Sequence, residues 1–301
     1  MSEPELPTPL EEAPVALGRG RRLWLKREDV HELGAFKWRG ALPALRAYRE
    51  RGAEAVVTAS TGNHGAATAW AAERAGLRAV VYVPRVASET KLAVLEGLGA
   101  DLRQEGVDLD ESKELARAHA RREGLPFFED GAEPAQFGGY EEIGREIVDQ
   151  LGERPARTVV PVGNGALLIG VARGVGRGAI GVVAKEAPVM AWSVAEGRPV
   201  ECDRCATFAD GMAVRVAIPL AVEELVGLAT PFVEVSEREI ATAVGDYAAA
   251  GIRVEGSAAA ALAALDQVGG GDGAVVVIVT GSNIDPALHE RAVKDPQSFS
   301  D

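Results

Sequence analysis

Thr158-Val159-Val160-Pro161-Val162-Gly163-Asn164-Gly165-Ala166-Leu167 runs from a β-branched segment, through a glycine-bearing turn, into an apolar stretch. The segment before the turn is near-continuously apolar rather than alternating, as in a strand of a parallel sheet covered on both faces. A helix starting at about Leu167 presents amide N–H groups and the positive end of its dipole to the turn, which suits a phosphate or carboxylate. The turn is not Gly-x-Gly-x-x-Gly, because the next glycine is Gly170, and no Lys-Ser/Thr pair follows. That argues against a dinucleotide or ATP and for a smaller phosphate cradled by backbone amides. A side chain at Gly165 is expected to enter the cradle. A single glycine-rich turn is also ordinary connector chemistry, so the surrounding chain has to decide.

Outward from this stretch the same order recurs. Val56-Val57-Thr58 is a short strand, followed by Ser60-Thr61-Gly62-Asn63-His64-Gly65 and an alanine-rich helix over 66–75. This is a second anion-binding turn, or a helix cap in which Asn63 or Ser60 does local work. His64 is a ligand, a base or a hydrogen-bonded structural residue. A third turn, Thr280-Gly281-Ser282-Asn283, follows the apolar run 274–279. Ligands gather at the carboxyl ends of parallel strands, so the three turns together carry more than any one. Glu255-Gly256-Ser257 reads as a helix cap and Asp210-Gly211-Met212 as a turn.

The remaining elements complete an α/β alternation. Strands are expected at 79–83, 101–103, 180–184 and 232–235, and a charged helix at 109–123. Residues 1–22 are expected to lie across a surface, and a helix over 41–51 to carry Pro43 in its first turn. Ser88 caps a helix to Leu98 with Leu92, Val94, Leu95 and Leu98 on its apolar side, and Pro188 opens another. Helices are also expected over 139–151, after Ser236 to Ala250, and over 257–267 with Ser257 as the cap.

The chain of 301 residues is 47% apolar and 26% charged, a globular composition with material for a sizeable core. Its net charge of −13, from 32 basic and 45 acidic side chains, and its lack of a basic cluster argue against nucleic-acid binding. The acidic start Met1-Ser2-Glu3-Pro4-Glu5 is unlike a signal peptide, and no apolar run reaches the ~18 residues of a membrane span. A soluble cytoplasmic protein is expected. Cys202 and Cys205 form a Cys-x-x-Cys pair with no second Cys/His pair nearby, and are read as structural thiols.

One lysine stands out. Lys37 lies in Gly34-Ala35-Phe36-Lys37-Trp38-Arg39-Gly40, between two aromatics and bracketed by glycines. Flanking rings that keep its amine partly dry favour the neutral, nucleophilic form. An ordinary loop lysine, its stem over aromatic surface and its head in water, has the same local sequence.

Taken in order, these segments resemble the fold-type II pyridoxal-phosphate-dependent enzymes. The resemblance is carried by Thr8-Pro9-Leu10, Lys26-Arg27-Glu28-Asp29, Gly34 to Ala41, Ser60 to Gly65, Gly163 to Ala166, Ala209-Asp210-Gly211 and Thr280 to Asn283. Gly-Asn-His at 62–64 is similar to the threonine/serine dehydratase and serine racemase branch. The resemblance implies an α/β, tryptophan-synthase-β-like fold of two domains, with parallel-rich sheets covered by helices on both faces. The large cofactor domain would comprise 1–55 and 129–301, and a small mobile domain 56–128. It implies that Lys37 holds pyridoxal 5′-phosphate as an internal Schiff base and moves the α-proton. Phe36 packs near the ring, and Asn63 bonds the phenolic oxygen. Gly163, Asn164, Gly165, Ala166 and Leu167 hold the phosphate, and Thr280 bonds the pyridine nitrogen. Ser60, Thr61, Gly62, Asn63 and His64 receive the substrate carboxylate. A homodimer is the family's habit.

Several positions depart from the family pattern. Asn164 and Ala166 replace glycines of the phosphate turn, and Glu255-Gly256-Ser257-Ala258-Ala259 replaces Glu-Pro-x-Gly-Ala. Val183 stands where many relatives place a cation-binding glutamate, so no metal is expected. Thr61 occupies a position that is commonly alanine in dehydratases and serine in racemases. The chain ends soon after Asn283, so no C-terminal regulatory domain is expected. A hydroxyl at Thr280 is not expected to hold the ring nitrogen protonated as a carboxylate would, which favours prompt loss of a β-hydroxyl. The expected activity is dehydration and deamination of L-threonine or L-serine. Racemisation, β-replacement and a non-catalytic cofactor carrier are the rivals.

Overall fold

The computed structural model describes residues 6–203, 205–269 and 272–301. The acidic start Met1–Glu5 and Arg204, between the two cysteines, lie outside the described residues. Among the described residues nine strands follow one another: β1 (Leu10–Glu12), β2 (Leu23–Arg27), β3 (Ala55–Ala59), β4 (Arg78–Val83), β5 (Asp101–Gln104), β6 (Arg157–Pro161), β7 (Ala179–Ala184), β8 (Phe232–Val235) and β9 (Val275–Val279). They form a six-stranded sheet of order β1-β2-β9-β6-β7-β8 and a three-stranded sheet of order β3-β4-β5. The chain divides into two compact units, one running up to Phe36 and resuming at Tyr140–Asp301, the other Lys37–Gly139.

In the larger unit every pairing is parallel except that of β1 with β2. Every residue of β7 and β9 is buried, so helices cover both faces of this sheet, as the unbroken apolar runs require. Leu10–Glu12, expected to lie on a surface, instead forms an antiparallel edge strand with Leu10 opposite Lys26. The helix Gly256–Ala263 lies buried throughout, its alanines letting it approach the sheet closely. Ser257 is not its cap: Glu255 takes the N-cap position, and Ser257 sits in the first turn.

The helix that follows β6, Ala166–Val175, is set against the helix Pro134–Leu151 by glycines. A Cβ at Gly170 would stand 2.4 Å from the Cβ of Tyr140, and one at Gly174 would stand 2.4 Å from the Glu141 carbonyl oxygen. Gly144 answers from the facing helix, where a Cβ would come within 2.6 Å of the Val171 carbonyl oxygen. Backbone meets backbone here, and the contact fixes where the start of Ala166–Val175 points. Gly170→Val is expected to lower stability by roughly 1–3 kcal/mol through overpacking, read as the midpoint of urea unfolding.

The smaller unit carries β3, β4 and β5 in parallel, with Val57 opposite Val80 and Val81 opposite Leu102. The expected boundaries 1–55, 56–128 and 129–301 differ from the observed division on both sides. The helix Trp38–Glu50 belongs with the small sheet because Trp38 packs edge-on against Trp70 at 5.9 Å and Tyr48 against Phe128 at 6.2 Å. That helix starts three residues earlier than expected, so Pro43 falls inside it. The segment to Gly139 stays with this unit, where a Cβ at Gly139 would lie 2.0 Å from the Arg39 carbonyl oxygen. Pro43 has no N–H to offer that carbonyl, which leaves room for the approach. On the helix Glu89–Gly97 only Leu95 is buried, and Val94 faces outward rather than joining an apolar side. Among the described residues no helix is long and apolar enough to cross a membrane.

Candidate active site

In the smaller unit, Lys37 occupies the N-cap position of Trp38–Glu50, with a largely buried side chain. Its rings are engaged elsewhere: Phe36 packs on Tyr140 at 5.1 Å, and Trp38 on Trp70. The ammonium is met by a carboxylate instead, with Nζ donating to Asp130 Oδ2 at 2.6 Å. Gln136 Nε2 donates to the other oxygen, Oδ1, at 2.6 Å. Burial alone would raise the Asp130 carboxyl, but Lys37, His64 and these hydrogen bonds outweigh it and hold it well below the usual carboxylate range. Asp130 was not singled out from the sequence. The signal that bears on it is Asp130-Gly131, one residue beyond the aromatic pair Phe127-Phe128, where Val57 of β3 forms a bridge with Phe127.

β3 ends at Ala59, and Ser60 Oγ accepts the Gly62 amide at 3.2 Å. Gly62 is the N-cap of Asn63–Ala75, so Asn63, His64 and Gly65 form its first helical turn rather than an extended loop. A helix leaves those first amides without an acceptor of its own, the geometry an anion uses. A Cβ at Gly65 would lie 2.4 Å from the Ser60 carbonyl oxygen, so the tight entry needs glycine. Thr61 is half-buried and Gly62 exposed beside this turn.

The His64 ring turns back into the unit. Nε2 lies 3.2 Å from the Phe128 carbonyl oxygen and 3.1 Å from Thr58 Oγ1, and the ring packs on Phe128 at 4.8 Å. Thr58 Oγ1 itself donates to the Phe128 carbonyl at 2.8 Å, which assigns the imidazole proton to Nε2. Burial lowers the His64 pKa, and Asp130 opposes this while Lys37 and Lys113 reinforce it. Unfolding frees a histidine that binds a proton near its ordinary 6.5. The unfolded chain therefore takes up the proton first, and His64 makes stability fall as pH drops below about 6.5. Thermal melts of wild type and His64→Gln are expected to show a smaller loss in the variant between roughly pH 7 and 5. Asp130 acts in a separate window, adding stability that disappears only at far lower pH.

In the larger unit, β6 leads through Val162 to Gly163, Asn164 and Gly165, and the helix begins at Ala166. Gly165 has φ 91° and takes the N-cap position. A Cβ there would point at Leu225 Cδ1, 2.9 Å away, and Met190 Cε, 3.1 Å away. The expectation that a Gly165 side chain enters the phosphate cradle is thereby corrected: it would enter the apolar packing behind the turn and strain the backbone. A Cβ at Gly163 would meet the Gly211 carbonyl oxygen at 2.3 Å, so the Asp210–Met212 turn lies directly on the cradle. Gly211 in turn leaves space for Ser257 Oγ, which a Cβ would approach to 2.7 Å. That hydroxyl is buried and has no hydrogen-bond partner.

Thr280 follows β9 and is buried. Its carbonyl accepts the Phe36 amide at 3.0 Å, and its hydroxyl donates to Glu255 Oε1 at 2.9 Å. Asn283 Nδ2 donates to the Leu33 carbonyl at 2.8 Å, tying the segment after β2 to the end of β9. Cys202 and Cys205 are free, half-buried thiols, and burial pushes the Cys205 thiol up. No cluster of three or more His, Cys, Asp or Glu side chains arranged to hold a metal is present among the described residues.

Residues 1–281 match the model of the pyridoxal-phosphate dependent enzyme family. The chain belongs to that family. Among the relatives of this pyridoxal-phosphate-dependent chain, the L-threonine ammonia-lyase of Thermotoga maritima is 32% identical over 285 residues, covering 91% of this chain and 70% of that protein. The processed form of threonine deaminase isoform 2 from Solanum lycopersicum superposes with a TM-score of 0.88 at 29% identity, over 95% of this chain and 87% of that one. A fungal L-serine ammonia-lyase from Rhizomucor miehei gives 0.83 at 26% identity, over 96% and 98%. The chain spans only 36% and 42% of two longer curated relatives.

The residues present fit the family's cofactor. The first amides of Ala166–Val175 and the unpartnered Ser257 hydroxyl are donors suited to a phosphate, and glycines at 163 and 211 let the Asp210–Met212 turn and Ser257 come close to that helix start.

Proposed function

We propose that this protein is a pyridoxal-phosphate-dependent ammonia-lyase that converts L-threonine or L-serine to a 2-oxo acid and ammonia. The observation that carries the proposal is Lys37, a largely buried amine closed by Asp130, in a chain 32% identical to a threonine ammonia-lyase across 91% of its length. When bound, pyridoxal phosphate supplies an aldehyde that bonds amino groups and a ring that draws electrons from the substrate α-carbon.

The protein's own groups do the rest. Lys37 would hold the cofactor through its aldehyde, and the Lys37 amine would carry the α-proton on Nζ. Asp130 supports the ammonium that results, because its carboxyl stays ionised beside Lys37. Gly163 to Leu167 hold the phosphate through the helix start, with Ser257 as a further donor that the sequence reading missed. The first turn of Asn63–Ala75, with Ser60 and Thr61, binds the substrate carboxylate, and the Asn63 side chain bonds the phenolic oxygen. His64 shapes that turn from inside by its bonds to Thr58 and Phe128. Phe36 would pack at the ring, and Thr280 would face the ring nitrogen. The working protein is a cytoplasmic homodimer.

No metal is needed, since the position of a cation-binding carboxylate holds the fully buried Val183. Exhaustive chelation at fixed monovalent salt is expected to change turnover by less than a factor of about two, under 1 kcal/mol in barrier. A larger, magnesium-reversible loss contradicts this.

The proposal is tested by incubating the holoenzyme with L-serine and L-threonine, then measuring 2-oxo acid and the handedness of the remaining amino acid. Oxo-acid release exceeding racemisation supports a lyase. Faster appearance of D-serine makes the protein a racemase. Binding with neither product makes it a cofactor carrier.

A further inference from the structure

Glu237 is a buried carboxyl that none of the roles above uses. It opens the helix Glu237–Ala249, directly after β8 and Ser236. That helix start is complete without it, because Ser236 caps it and pairs with Glu239 in a capping box. The Glu237 side chain turns instead to the segment before the Asp210–Met212 turn, where Oε2 accepts the Phe208 amide at 2.8 Å. Oε1 is buried and has no hydrogen-bond partner. A buried polar atom left unpaired costs stability. For packing alone a carboxyl here is worse than an apolar side chain, and what it adds is the bond to Phe208.

Phe208 leads straight into that turn. The next amide, Ala209, donates to Thr207 Oγ1 at 3.1 Å, and the Met212 amide donates to the Ala209 carbonyl at 2.8 Å. Two consecutive amides and the bond that closes the turn are thus fixed in series. The same segment lies on the start of Gly256–Ala263, where a Cβ at Gly256 would stand 3.0 Å from Ala209 Cα and 3.0 Å from Phe208 Cε2. Gly211, at the centre of the turn, sets its carbonyl against Gly163 and its α-carbon against Ser257 Oγ, the two contacts that shape the phosphate cradle. All of these groups belong to the larger unit. We propose that Glu237 is a positioning residue for the cofactor phosphate: by holding the Phe208 amide it keeps Gly211 seated against Gly163 and Ser257. The inference rests on the reading that Gly163 to Leu167 and Ser257 hold the phosphate. A carboxyl oxygen accepts an amide in either protonation state, so the role does not depend on the charge of Glu237.

The test compares ligands with and without the phosphate. The full chain, freed of cofactor, is titrated with pyridoxal phosphate and with pyridoxal, and both affinities are read from the absorbance of the bound ligand. Glu237→Met fills the same space without an oxygen acceptor. It is expected to weaken pyridoxal phosphate about tenfold, as for one displaced hydrogen bond to a charged group, and to leave pyridoxal within a factor of about two of wild type. Glu237→Gln keeps an oxygen for the Phe208 amide and is expected to stay within a factor of about three of wild type for both ligands. Thermal melts establish that each variant is folded. If Glu237→Met is not, Glu237→Asp, one methylene too short for the amide, is expected to show the same selective loss. Unchanged pyridoxal phosphate affinity in the folded Met or Asp variant overturns the proposal and leaves the cradle in place. Equal losses for the two ligands overturn it in favour of a general structural role. Wild type that binds pyridoxal as tightly as pyridoxal phosphate overturns it together with the reading of the cradle.

Discussion

Replacing Lys37 by alanine is expected to lower turnover by ~10⁴-fold or more, since one amine both anchors the cofactor and moves the α-proton. The fold is expected to survive. Lys37 lies at the N-cap of Trp38–Glu50 with no side-chain cap bond, so alanine costs the helix no capping interaction. The exposed consequence is Asp130, which loses its 2.6 Å partner but keeps Gln136 Nε2 at 2.6 Å on the other oxygen. Double replacement with Asp130→Asn separates the two effects: stability recovers if the orphaned carboxylate causes the loss, whereas turnover does not. Added free amines restoring part of the activity would identify the missing group as the amine itself. Activity in Lys37→Ala within tenfold of wild type would contradict the role.

The second large effect is on stability and lies away from the chemistry. Lys26, in β2, is fully buried, and Nζ donates to the Thr8 carbonyl at 2.8 Å, Glu146 Oε2 at 2.6 Å and Gln150 Oε1 at 2.8 Å. Three N–H groups meet three acceptors. Thr8 Oγ1 adds a bond to the buried Glu28 at 2.7 Å, so the lysine belongs to a network that joins the edge strand to the helix Pro134–Leu151. Lys26→Met keeps the stem and removes the charge, taking from Glu146 the ammonium that lies 2.6 Å from its Oε2. A loss of about 3–5 kcal/mol is expected, as when one partner of a buried pair is deleted. Adding Glu146→Gln should recover part of it in a double-mutant cycle. A loss under 1 kcal/mol would show that water replaces the ammonium.

Much of this architecture is legible in the residues because its strands are fully covered. The runs at β7 and β9 are apolar or glycine at every position and leave no other period to choose. Ser236 is equally plain, since Ser236 and Glu239 exchange the two bonds of a capping box. The edge strand is not legible, because Leu10–Glu12 carries two exposed glutamates and has no apolar signature. Nor is the bond between Glu255 and Thr280, because local rules place Glu255 at a helix end with Ser257 as cap. Only the return of the chain at Thr280 gives the carboxylate a different partner. Asp130 is hidden for the same reason: its partner lies 93 residues away, and no spacing rule connects them. The direction of Gly165 depends on a backbone angle of φ 91°, which composition does not encode.

The central claim is that this chain works through pyridoxal phosphate held covalently by Lys37. Reconstituted protein reduced with borohydride, digested and mapped by mass spectrometry tests it most directly. The phosphopyridoxyl mass is expected on the peptide containing Lys37, in close to one copy per chain, and to disappear in Lys37→Ala. The same mass on another lysine, undiminished in Lys37→Ala, would contradict the account.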